Sequence, residues 1–400
     1  MSILLRKHHG EAYLTRMGKL GIISLISSFS SALVITIWAI YMDSFLKSVS
    51  AVGFFSAFLT FIGITSYFIL IPFVETTGKS KIFSTSLVVF GIGYIVFALT
   101  KSFWFFFIVS VIITIFGTLR LTSFGLIIRD SSSKKSLSKN EGIRFTFINL
   151  SYIIGPIIAG YVSEKFGISI IFLLAALFLF ISLILIKTEK IVDNTKQRRS
   201  HKNIIKNSIE FFTDKKRLLA YFIGGGVSFW WILIYLFIPL YMIRNGLSKV
   251  WVGYFLFLIP IPLIFLEYYF SKIAQKHGVK TLFKLGFLIP ALISLVAYFI
   301  SDIFILLTLL ILASVGMAML EPTTETYFFN ISTKKDEQRF YGPYNTRIEV
   351  AGLIGKFLPA LILLYFPLKS IFLFFSLAMF VFFLASFKVE NVAGKRRKKQ

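Results

Sequence analysis

Residues 20–41 read LGIISLISSFSSALVITIWAIY, without one charged side chain. As an α-helix this run is long enough to span about 30 Å of hydrocarbon. In lipid, the helix is the form in which one segment satisfies all of its own backbone groups. The pair Tyr41-Met42 that closes the run returns as Tyr241-Met242. The same offset of 200 residues relates Gly53 to Gly253, Gly78 to Gly278, Lys134-Lys135 to Lys334-Lys335, Gly142 to Gly342 and Gly155 to Gly355. The offset does not drift, and it is half of the 400 residues. In a chain that is 56% hydrophobic, matched apolar residues carry little information. The matched glycines, lysines and turn residues carry more, because they sit between apolar runs or at fixed points inside them. Two equal halves in a membrane chain are what a transporter built from parallel repeats shows.

Eleven further apolar runs follow, at 52–73, 82–100, 103–128, 145–163, 168–186, 218–243, 252–270, 281–300, 303–320, 346–366 and 369–387. Together they predict an all-α membrane protein of 12 transmembrane helices in two pseudo-symmetric six-helix halves, 1–186 and 218–400, joined by a basic linker at 187–217. A mean hydropathy of +0.81 excludes an ordinary soluble domain. The runs do not alternate, which excludes a transmembrane β-barrel. Within the linker, Asn203 to Phe212 carries Ile204, Ile205, Ile209 and Phe212 on one side. It reads equally as a helix on the membrane surface and as a tether held near lipid by charge.

With a cytoplasmic N-terminus and alternating helices, 35 of the 43 lysines and arginines fall inside and six fall outside. The positive-inside rule then gives a multi-pass protein of the cell (plasma) membrane with both termini cytoplasmic. The net charge of +25 is largely this topogenic signal, together with attraction to anionic membrane lipids. No basic domain stands outside the helices to bind nucleic acid. There is no cysteine, so no thiolate metal site or cysteine nucleophile exists, and His8, His9, His201 and His277 are scattered over cytoplasmic segments. No catalytic set, metal site or cofactor site is expected. Thr77-Gly78-Lys79-Ser80 ends like a phosphate-binding loop, but Phe73 stands where that loop needs glycine, and the stretch follows a helix rather than a strand. The expected partners are a small-molecule substrate, protons and membrane lipids, bound by a monomer.

Two stretches carry a resemblance. The loop after the second run reads Ile71-Pro-Phe-Val-Glu75-Thr-Thr-Gly78-Lys79-Ser-Lys81, and the fifth run contains Gly142-x8-Ser151-x3-Gly155-Pro156-x2-Ala159-Gly160. With six plus six helices and a basic central loop, they resemble the major facilitator superfamily. The loop is similar to that family's G-x-L-A-D-R-x-G-R-[KR] motif, with Glu75 at the acid, Gly78 at the later glycine and Lys79 at the next basic position. Ile71 and Thr76 depart from it, and the second copy has Gln275 at the acid. The fifth run is similar to the g-x8-G-x3-G-P-x2-G-G motif of antiporter branches, with Ser151 and Ala159 in place of glycines. In the second half Gly355 persists and Lys356 replaces Pro156. Small residues four apart let helices approach closely, and proline favours a bend. The resemblance implies alternating access, with Glu75, Gly78, Lys79, Gly155 and Pro156 in conformational roles, and H⁺-coupled export of small amphipathic compounds. The alternative is an importer or uniporter of a small metabolite on the same fold; a membrane-embedded enzyme or lipid scramblase is more remote. The chain departs from the drug-exporter pattern in having no arginine in Phe103 to Phe116 and no acid in 20–41.

Charges inside a bilayer are costly, so each is a functional candidate. The resemblance implies that helices one, four, seven and ten line the cavity, so that Arg120 and Glu321 would face each other as an inner gate. The coupling candidates are Glu321, Glu349, Glu267 and Glu325, all in the second half. Lys356 shares a helix face with Glu349, seven residues before it, and serves either to neutralise that acid or to attract an anionic substrate. Trp38, Trp230, Trp231 and Tyr235 offer rings for a hydrophobic solute, and Asn149 stands where the second half has Glu349.

Overall fold

Asp214, Asp302 and Thr333 each stand just before a helix and cap it. The Asp214 carboxylate accepts from the Arg217 N–H at 2.9 Å, Asp302 from the N–H groups of Phe304 and Ile305 at 2.8 and 2.9 Å, and the Thr333 hydroxyl from Asp336 at 3.3 Å. Inside the apolar runs several hydroxyls turn back on their own helix: Thr36 donates to the Ala32 carbonyl at 2.8 Å and Ser123 to that of Leu119 at 2.6 Å. Such bonds let serine and threonine sit in an apolar span without an orphaned donor.

The computed structural model describes residues 5–8, 11–14, 16–76, 78–132, 137–188 and 204–391. Strands β1 (Leu5–His8) and β2 (Glu11–Leu14) form an antiparallel hairpin that the hydropathy pattern did not announce. All the rest is helical: α1 (Arg16–Leu46), α2 (Val49–Thr76), α3 (Lys79–Leu99), α4 (Phe103–Asp130), α5 (Leu137–Phe166), α6 (Ile168–Thr188), α7 (Ile204–Thr213), α8 (Lys215–Ile232), a π-helical turn (Leu233–Phe237), α9 (Ile238–Arg244), α10 (Lys249–Leu258), α11 (Ile261–His277), α12 (Lys280–Phe299), α13 (Ile303–Ile331), α14 (Lys334–Asn345), α15 (Arg347–Ile362) and α16 (Ser370–Ser386). Ten helical spans are long and apolar enough to cross a membrane. The last two apolar helices, α15 and α16, are shorter, at 16 and 17 residues.

The chain forms two compact units. Unit 1 comprises Met1–Tyr41, Phe58–Ser200 and Ser248–Tyr254; unit 2 comprises Met42–Ala57, His201–Leu247 and Phe255–Gln400. The start of α2 therefore belongs to unit 2, and the start of α10 to unit 1. Inside unit 1, α3 packs against α4 and α6; inside unit 2, α12 packs against α13 and α16. These triplets are related by the sequence offset. The Tyr41 ring meets Phe172 at 4.6 Å, and the Tyr241 ring meets Phe372 at 5.1 Å. Helices α3 and α12 end identically, with Thr100 and Ile300 donating to the carbonyls of Val96 and Val296.

Three spans differ from a simple hydropathy reading. The seventh run is interrupted by the π turn, because Pro239 has no N–H for the Tyr235 carbonyl; the turn widens and the Ile238 N–H bonds back to the Leu233 carbonyl. The eighth run breaks at Pro260 and then continues to His277. The tenth extends to Ile331, past the expected end at residue 320, so Glu321 and Glu325 lie within α13. Glycine's conformational freedom is needed at Gly278, whose φ is +85°, between α11 and α12. Gly78, between α2 and α3, has φ −59°, which any residue adopts. Asn391 clasps the Gly278 turn, donating to the His277 carbonyl at 3.1 Å and accepting from the Lys280 N–H at 3.3 Å.

Candidate transport site

Unit 2 gathers two carboxyls and an indole. Trp231, at the end of α8, donates its Nε1–H to Oε1 of Glu321 on α13 at 2.5 Å. Helix α11 packs against α13 and brings the Glu267 carboxyl into a hydrogen bond with Glu321. The Trp231 ring lies 5.6 Å from that of Tyr235, in the π turn that begins two residues later. Both acids are half-buried. An ionised carboxylate only accepts hydrogen bonds, so this contact is favourable only with one of the two acids protonated. Desolvating a charge is costly, and the indole donor offsets part of that cost for Glu321.

The other acids of unit 2 are elsewhere. Glu325 pairs with Arg347 at 3.3 Å, and the Arg347 guanidinium is buried over the Tyr344 ring at 3.9 Å. Glu349 is exposed and interacts electrostatically with Lys356. Trp230 is fully buried in the core, with its Nε1 lacking a partner among the described residues. Sequence reasoning passed over Gly224-Gly225-Gly226 in α8. A Cβ at Gly224 would come within 2.6 Å of Arg347 Cδ, and one at Gly226 within 2.6 Å of the Phe287 ring. Three consecutive glycines in an apolar run were the available signal for this close packing.

In unit 1, Arg120 donates to the Ser31 hydroxyl at 2.8 Å and lies over the Phe90 ring at 4.5 Å. It has no carboxylate partner among the described residues, and its Nη1 is buried without an acceptor. Arg120 and Glu321, the expected gate pair, thus take their partners within their own units. Trp38 packs 5.6 Å from Phe97 and 6.0 Å from Tyr41. Asn149 is exposed on α5. Lys79 forms an ion pair with Asp130 at the end of α4. The side chain of Glu75 lies outside the described residues. No group of three or more His, Asp or Glu that could hold a metal ion occurs among the described residues.

The small-residue stretches make one kind of close contact twice. In unit 1, a Cβ at Gly253 on α10 would lie 2.5 Å from the Pro156 carbonyl and 3.1 Å from Gly160 Cα. In unit 2, a Cβ at Gly53 on α2 would lie 2.7 Å from Ala360 Cβ and 3.2 Å from the Lys356 carbonyl. Gly155 adds an approach to α1, with a Cβ there 2.6 Å from that of Ala32. Glu164 fastens the first seam, accepting from the N–H and Nζ of Lys249 at 3.0 and 3.1 Å.

The sequence pattern of the Major Facilitator Superfamily matches residues 20–266 and 256–400. A Haemophilus influenzae protein named as a bicyclomycin resistance protein homolog is 25% identical over 249 residues, covering 60% of this chain. The chain spans 59% of the length of that relative. Among solved structures, a POT family transporter in complex with a thioalcohol-conjugated peptide has a TM-score of 0.74 at 14% identity, covering 94% of this chain and 96% of the other. The nucleoside transporter NupG also has a TM-score of 0.74 at 14% identity, covering 94% of this chain and 99% of the other. At that identity the likeness is one of fold.

Proposed function

Because the chain belongs to the Major Facilitator Superfamily, we propose that it is a proton-coupled exporter of small amphipathic compounds, with Glu267 and Glu321 carrying the coupling proton. Twelve membrane crossings, a monomer, cytoplasmic termini and a place in the plasma membrane complete the reading. The observation that carries it is the hydrogen-bonded acid pair beside Trp231. A proton-coupled carrier needs a group that is loaded on one side of the membrane and emptied on the other. A carboxyl pair inside an apolar bundle is costly to keep unless it serves such a purpose. The bicyclomycin resistance homolog supports export as the direction. The POT family and nucleoside transporters on the same fold favour the second reading, uptake of a metabolite.

The test is flux in proteoliposomes across a panel of amphipathic compounds under an imposed pH gradient. Glu321→Gln and Glu267→Gln are expected to abolish gradient-driven accumulation while leaving counterflow exchange of the same compound. Gradient-driven transport by the double variant at the wild-type rate would remove the acid pair from the mechanism. A panel on which no compound responds to the gradient would end the antiport reading.

A further inference from the structure

At one end of unit 1 a groove of 440 Å³ opens between α3 and α6, lined by Ser80, Lys81, Ser84, Thr85, Val88, Leu183 and Lys187. From this groove we infer a binding site for one anionic phospholipid, its phosphate held between Lys81 and Lys187 and an acyl chain lying along the two helices. The inference is independent of the transported compound.

Three observations carry it. First, both ammonium groups are exposed, and neither has a carboxylate partner among the described residues. Lys81 sits in the first turn of α3, where the helix dipole disfavours a cation and where no acid is present. Lys79 in the same turn has its charge offset by Asp130; that of Lys81 is offset by nothing described. A cation placed against the local field is what a bound anion would stabilise. Second, the hydroxyls of Ser84 and Thr85 have no partner among the described residues, unlike that of Ser86 in the same turn, which donates back to the Ile82 carbonyl at 2.9 Å. Open hydroxyls one turn below the lysines suit the glycerol and ester oxygens of a lipid.

Third, the groove grades from charge to hydrocarbon. Along one face of α3 run Lys81, Thr85, Val88 and Ile92, at i, i+4, i+7 and i+11, which is one stripe of a 3.6-residue helix. Along α6, Lys187 is followed one turn inward by Leu183. Ile92 is 53% exposed, so the stripe on α3 ends on bare apolar surface. A free phosphate or sugar phosphate would use the lysines and leave this stripe uncovered. A phospholipid covers all of it, and its position at a basic helix end matches the headgroup layer.

Native mass spectrometry of the full chain, titrated with phosphatidylglycerol or phosphatidylcholine, tests the site. Wild type is expected to retain phosphatidylglycerol at least fivefold more tightly than phosphatidylcholine. Lys81→Gln/Lys187→Gln should remove that preference, while the surface control Lys101→Gln/Lys369→Gln keeps it. Val88→Trp, which fills the apolar end and spares both lysines, should also weaken phosphatidylglycerol binding. Unchanged phosphatidylglycerol retention by the lysine double variant overturns the site. Full competition by glycerol phosphate, or wild-type lipid binding by Val88→Trp, would make it a site for a soluble anion and overturn the lipid assignment.

Discussion

Gly253→Ala is the smallest perturbation that tests the seam between α5 and α10. The added Cβ would stand 2.5 Å from the Pro156 carbonyl oxygen, whereas ordinary contact begins near 3.4 Å, so about 0.9 Å has to be found. No side chain can rotate away, because the atoms met are backbone: the Pro156 carbonyl and Gly160 Cα. The Glu164–Lys249 bonds hold the two helices at this distance. Overpacking of this kind costs about 1–3 kcal/mol, which corresponds to roughly a 5–150-fold shift in the population of the closed seam. The chain has no cysteine, so a single introduced thiol reports without background. Ser163 is buried three residues beyond Gly160 and donates to its carbonyl at 3.1 Å. In Ser163→Cys, maleimide labelling in proteoliposomes should therefore be slow, and Gly253→Ala should speed it at least fivefold. Gly142 lies on α5 with nothing within 4 Å of its Cβ direction, so Gly142→Ala should leave the rate unchanged. Labelling of Gly253→Ala at the parental rate, or equal acceleration by Gly142→Ala, would refute the claim that this contact holds the observed state.

The other predictions concern unit 2. Phe211 is fully buried against Tyr221, Phe328 and Phe340, so Phe211→Ala should destabilise the docking of α7 by about 3–5 kcal/mol and open the linker to limited proteolysis; Ile209→Ala, at an exposed position, should not. Gly224→Ala should lower the melting temperature through its clash with Arg347, and Arg347→Ala should remove most of that increment, giving a coupling of about 1 kcal/mol or more in a double-mutant cycle. Trp231→Phe removes the indole donor to Glu321, a bond to a charged group worth about 1.5–3 kcal/mol. Gradient-driven flux should fall with counterflow preserved, and equal loss of both would mean that the indole serves substrate binding instead.

The repeat was legible because its markers are local necessities: a glycine at a seam or a tyrosine on a helix end is readable one residue at a time. The all-helical class followed from length and hydropathy, while ten of the twelve expected spans are long and apolar enough to cross a membrane among the described residues. What was not legible came from pairing across sequence distance. Glu267 and Glu321 were each visible as misplaced charges, but only the packing of α11 on α13 makes them one site. Trp230 and Trp231 are adjacent and indistinguishable in hydropathy, yet one is sealed in the core and the other meets an acid. Only the helical phase at the end of α8 separates them. The linker helix shows the same limit. Phe211, which lies off the side formed by Ile204, Ile205, Ile209 and Phe212, is the buried residue, because α7 docks on α14, where Glu210 pairs with Arg339.

The repeat and the chemistry obey opposite rules. Gly53 and Gly253 meet equivalent stretches, residues 356–360 and 156–160, so the close contacts survive in both copies. The positions equivalent to Glu267 and Glu321 are Tyr67 and Leu121, so the acid pair exists in one copy alone. A device that rocks between two states needs like contacts in both halves, because a seam weakened in one copy would bias the equilibrium whatever is bound. A coupling site has no such need. Duplicating the acids would add a second buried pair with its own desolvation cost. Keeping Tyr67 and Leu121 uncharged avoids that cost. The asymmetry therefore falls on the acids, while the close contacts of the frame are kept in both copies.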